Sequence, residues 1–213
     1  MTIPAAIGAQ LRGLRRTLLG FSLPVLGLLC GAWLLHRATG ISIRRLTADP
    51  AVVLRWHPLT GMLFHLGVLL WNAAAAICFF CYSVAAGRAP RRHRTMLLAA
   101  GLLTTLLVLD DLFLFHERLF PKYLGLPEPL TCAGYAVLVL VYLWAFRREI
   151  LQTDFLLLAL ALGCFGVSVI CDQFFADRPW GFLEDGAKLL GIAWWCAYFA
   201  RVGRRALSSP APL

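Results

Sequence analysis

Six stretches of this chain stay apolar for close to 20 residues, and no soluble fold uses that many in 213 residues. A helix rises 1.5 Å per residue, so about 20 residues cross a ~30 Å hydrocarbon core. The runs are 17–35, 61–86, 96–119, 130–146, 155–175 and 182–200. Between them lie a basic loop over 88–94, prolines at Pro121 and Pro127, the pair Arg147-Arg148, and a turn signal at Asp177–Pro179. The expected fold is therefore all-α: a polytopic membrane helix bundle of about six transmembrane helices, forming a single membrane domain. Hydrophobic residues at 60% and a mean hydropathy of +0.75 exclude an ordinary soluble domain. Residues 36–60 are too charged to span and are expected as an outer interfacial loop, with Asp49-Pro50 as a turn signal and Trp56 as an anchor. Pro24 is expected to bend the first helix, and 206–213 read as a flexible tail.

The net charge of +9 comes almost entirely from arginine, and its placement decides its meaning. With six spans both termini lie on one side. That side holds twelve basic residues, among them Arg15, Arg16, Arg91, Arg92, Arg201 and Arg205, against seven on the other. The positive-inside rule then puts both termini in the cytoplasm. The charge is a topology signal and does not point to nucleic acid. Arginine-rich usage and short loops fit a bacterial inner (plasma) membrane. All seven cysteines fall in apolar runs, which argues against a secreted disulfide framework, and Cys78-x-x-Cys81 reads as packing.

Acids inside these spans carry the functional signal. Leu106 to Leu119 reads LLVLDDLFLFHERL, with Asp110, Asp111, His116 and Glu117 in one apolar run. On a continuous helix Glu117 returns to the face of Asp110, while Asp111 and His116 sit about 100° and 120° away on opposite flanks. Four side chains so spread cannot meet at one point, so the third helix is expected to act as a central post touching several neighbours. Ser168 and Asp172 form an i, i+4 pair on the fifth helix. Glu184, Asp185 and Lys188 open the sixth, with Glu184 and Lys188 spaced as a helical ion pair. His65 and Asn72 share a face of the second helix, seven residues apart.

By this topology all these groups lie toward the outer half of the bilayer. Six carboxylates in low dielectric cannot all be ionised and unpaired, so some are protonated, some bind a cation, or several reach water. Three functions use such a pocket. A metal-dependent membrane-embedded hydrolase or lipid-modifying enzyme would take a divalent metal ion on His116, Glu117, Asp172, Glu184 and His65. Asp110, Asp111 and Lys188 would then act in catalysis, and Asn72, Ser168 and Asp185 would line the pocket. A proton- or cation-coupled transporter would use the same acids and Lys188 as a relay. A non-catalytic membrane subunit or assembly factor would use them only to fix helix packing. The expected partners are the lipid bilayer, a lipid or small polar substrate, and copies of this chain or other membrane subunits as a homo-oligomer or membrane complex.

Overall fold

The computed structural model describes residues 3–174 and 181–208, which are helical nearly throughout, with no strand among them. The chain divides into two compact units, Met1–Thr60 and Gly61–Leu213. The expected turn at Asp177–Pro179, with Arg178 and Trp180, and the end of the tail (209–213) lie outside the described residues.

In the first unit, α1 (Ile3–Thr39) continues through Pro24 and is long and apolar enough to cross a membrane over Leu14–Thr39. The segment expected as a loop contains two short helices, α2 (Ile43–Thr47) and α3 (Pro50–Leu54). Asp49-Pro50 is a helix start: the Asp49 side chain accepts from the Ala51 and Val52 amides, and Pro50 fills the first helical position, where no N–H is needed.

In the second unit, α4 (Met62–Val84), α5 (Arg91–Phe113), α7 (Glu128–Ala145) and α9 (Phe155–Phe174) follow the predicted apolar runs. Together with α1 they make five helices among the described residues that are long and apolar enough to span. The sixth expected span is α10 (Gly181–Ser208), whose first two turns carry Glu184, Asp185 and Lys188. Short α8 (Arg147–Leu151) links α7 to α9.

The central post is α10 rather than the third helix. It packs along α9 and α4, and α4 packs along α5. Lipid tails are as apolar as leucine, so helices gain little from hiding leucine from them; close approach through small residues and buried hydrogen bonds hold the bundle. Gly191 lies against Phe165 and the Ala161 carbonyl, Gly203 against Cys81, and Gly67 against Ile192. Trp71 stacks on Phe165 at 5.4 Å and meets Trp195 edge-on, and the Trp195 indole donates to Thr104 Oγ1 at 3.0 Å. Trp195 and Tyr198 are thus core residues, whereas Trp33, Trp56 and Trp144 are exposed in the manner of interfacial anchors. The cysteines are free, and Cys78 and Cys81 are packing residues of the core.

At the end where α5 begins, the buried Glu149 carboxylate pairs with Arg92, which also donates to the Ala145 carbonyl. Asp154 accepts from Arg201 Nε at 2.5 Å and Arg205 Nη2 at 2.6 Å. The Arg201 hydrogen bond, with the charge of both guanidiniums, holds the Asp154 carboxyl below the usual carboxylate range. A depressed folded pKa contributes stability that is present above the unfolded value and lost as pH falls through the folded one. Asp154→Asn is therefore expected to lower the thermal midpoint slightly at neutral pH, with the gap to wild type closing on acidification below the carboxylate range.

Candidate functional site

The third span ends earlier than its apolar pattern suggests. Leu114 adopts left-handed backbone, φ 53°, and stops α5; a five-residue π-helical turn (Phe115–Leu119) and α6 (Phe120–Leu124) follow. Left-handed backbone costs a non-glycine residue about 1–2 kcal/mol, so something must hold it. Asp110, buried one turn earlier, does so. Its backbone carbonyl accepts the Leu114 amide, and its side-chain Oδ1 accepts the His116 amide at 3.0 Å.

This break corrects the expectation that Asp110 and His116 look apart. Six residues separate them, about 240° on a continuous helix, and the left-handed step folds the ring back. His116 Nδ1 binds Asp110 Oδ2, while the Tyr135 hydroxyl on α7 donates to Asp110 Oδ1 at 2.6 Å. Tyr135 is a residue that sequence reasoning missed. Its signal was a phenol inside an apolar span, since a hydroxyl in lipid needs a partner. His116 stands beyond the end of the span at Phe113. The Asp110 hydrogen bond, helped by the charges of Asp110, Glu117 and Glu128, raises its imidazole above the usual histidine range, against the desolvation that lowers it. Glu117 is exposed, with Oε1 3.8 Å from His116 Nε2.

Asp111, also buried, turns to α10 and pairs with Lys188 Nζ. The expected Glu184–Lys188 pair along α10 yields to this contact between helices. The pair lies in a cleft of about 40 Å³ lined by Leu63, Phe64, Gly67, Asp185, Leu189 and Ile192, with room for one or two waters. Lys188 is partly open to solvent and Asp111 is not. Asp185 lines this cleft, while Glu184 is half-buried, within the field of Asp172, Asp185, Lys188 and Glu117.

The remaining expected residues fall elsewhere. His65 is exposed with its ring edge-on to Phe64, and Asn72 is exposed and donates to the Val68 carbonyl of its own helix at 2.9 Å. Ser168 is buried and Asp172 exposed on α9. Among the described residues no three His, Cys, Asp or Glu side chains are arranged to hold a metal ion, so His116, Glu117, Asp172, Glu184 and His65 do not assemble into the expected metal site. Two polar constellations stand in its place: Tyr135–Asp110–His116 at the end of α5, and Asp111–Lys188 between α5 and α10.

A family model for a domain of unknown function, DUF8692, matches residues 22–202, most of the chain. The chain belongs to the DUF8692 family. The DUF8692 match takes in both constellations and every helix from α2 to α9. Comparison with curated proteins finds no match, and neither does comparison with solved structures.

Proposed function

We propose that this DUF8692 protein is a membrane-embedded, lipid-modifying hydrolase of the bacterial inner membrane, with His116 as its general base. The observation that carries this reading is the engagement of His116 Nδ1 by buried Asp110. A carboxylate on Nδ1 fixes the neutral ring with its proton there and leaves Nε2 as the basic nitrogen. Tyr135 holds the same carboxylate, so the imidazole is oriented before substrate arrives. Nε2 takes a proton from water as its oxygen attacks a lipid ester carbonyl. The carbon–oxygen bond to the alcohol then breaks and the same proton passes to the leaving oxygen, giving acid and alcohol. The donor set supports a general base rather than a metal-bound water, because Nε2 has one carboxylate, Glu117, near it and zinc chemistry calls for about three protein ligands. With both termini cytoplasmic, the site opens toward the outer leaflet.

The test is turnover by purified protein in vesicles of phosphatidylethanolamine, phosphatidylglycerol and cardiolipin, read by mass spectrometry as lysolipid and free acid. Wild type is expected to release product with time, and His116→Gln to slow release by roughly 10²–10⁴-fold, the usual worth of a general base. Only the neutral ring is a base, and Asp110, Glu117 and Glu128 all favour the charged ring. The rate should therefore rise with pH through a midpoint above the ordinary histidine value of about 6.5. No product, or equal rates in His116→Gln, would remove the reading.

The Asp111–Lys188 pair supports a second reading, proton- or cation-coupled transport, because an ion pair between helices, with a buried carboxylate and a partly open amine beside a small cleft, is a place to load and release a proton. That reading expects proton flux into proteoliposomes that Asp111→Asn abolishes; the hydrolase reading expects none. On either reading Lys188→Met should destabilise more than Asp111→Asn. The first strands a buried carboxylate, whereas the second leaves an amine that reaches solvent.

A further inference from the structure

α7 buries only Tyr142, so most of its surface faces outward. Along it runs an apolar groove of about 360 Å³, bounded by Phe120 and Leu126 on one side and by Leu130, Gly134, Tyr135 and Leu138 on α7. That volume falls within the range of small-ligand sites, about 300–1,000 Å³. The groove is not uniformly apolar in its surroundings. Tyr135 lines it and donates to Asp110. Glu128, in the first turn of α7, and exposed Glu117 both act on His116, beside that carboxylate.

These charges choose the occupant. A hydrocarbon chain fits the groove, and Glu117 and Glu128 offer two carboxylates to a head group beside it. A lipid with an ammonium can pair with them; an anionic lipid without an amine leaves them facing negative charge. We infer that the groove between α6 and α7 holds an acyl chain of an ammonium-bearing zwitterionic phospholipid, its ammonium against Glu117 and Glu128. This names the lipid class for the site proposed above and rests on that site facing lipid, but not on its being hydrolytic.

The experiment is photolabelling of the full-length protein in phosphatidylcholine vesicles doped with phosphatidylethanolamine or phosphatidylglycerol bearing the same diazirine acyl chain, with labelled peptides mapped by mass spectrometry. Labelling of residues 126–138 is expected to favour phosphatidylethanolamine by roughly fivefold, the scale that exposed charge pairing supplies. Glu117→Gln/Glu128→Gln should bring that ratio to about one. A side chain at Gly134 would enter open space, with nothing within 4 Å of its Cβ, so Gly134→Leu should fill the groove, keep the thermal midpoint, and lower labelling there by both lipids. Equal or greater labelling by phosphatidylglycerol, an unchanged ratio in the double glutamine variant, or full labelling of Gly134→Leu would each overturn the inference. Selective labelling without turnover removes hydrolysis and leaves this lipid assignment; turnover without selectivity does the reverse.

Discussion

Asp110→Ala is expected to lose more than any other single substitution, about 3–5 kcal/mol of stability together with all turnover. Its carboxylate takes three donors: the His116 amide, the His116 ring and the Tyr135 hydroxyl. Removing the acceptor leaves half-buried donors unmatched at roughly 1–3 kcal/mol each, less than additively because they share one site. The left-handed turn at Leu114 also loses the group that holds it. Tyr135→Phe removes one donor and keeps the rest, so it should cost only about 1 kcal/mol. Equilibrium unfolding in detergent distinguishes the two, and equal losses would mean that Asp110 does not organise this end of the bundle.

Gly203→Ala is expected to destabilise by about 1–3 kcal/mol, the usual cost of overpacking a filled interface. A Cβ there would lie 2.5 Å from Cys81 Sγ, with Cys81 Cβ and Ile77 Cγ2 each at 3.4 Å. Only the sulfur is impossibly close, so Cys81→Ala should relieve the clash. The double variant Gly203→Ala/Cys81→Ala is expected to be more stable than Gly203→Ala alone, with a coupling of at least ~1 kcal/mol in a thermodynamic cycle. Independent effects of the two substitutions would contradict the close approach of α4 and α10.

Five of the expected spans were legible because hydropathy over 20 residues is a bulk property that tertiary contacts do not alter. The end of α5 was not. LLVLDDLFLFHERL stays apolar past residue 114, and the residue that breaks the helix is a leucine, without the glycine, asparagine or proline that marks such a step. Treating the run as one helix turned Asp110 and His116 away from each other and hid the dyad. The sequence pairs Lys188 with Glu184 for a similar reason: spacing along a helix is visible in sequence, whereas Asp111, 77 residues away, becomes its partner only through packing of α10 against the bundle. The small residues that let α10 approach its neighbours, Gly191 and Gly203, were present in the sequence, but which helix they face is a tertiary fact. His65 and Asn72 do share a helix face, and that face is exposed.

The most direct measurement is the pH titration of His116 by ¹⁵N NMR, on histidine-labelled protein in lipid nanodiscs, with the resonance assigned by its loss in His116→Gln. His116 is expected to titrate above the ordinary histidine value of about 6.5, with its Nδ1 proton held against exchange, and Asp110→Asn to return it to that value. A His116 that titrates at or below the ordinary value and does not respond to Asp110→Asn would contradict the fold-back at Leu114 and the site built on it.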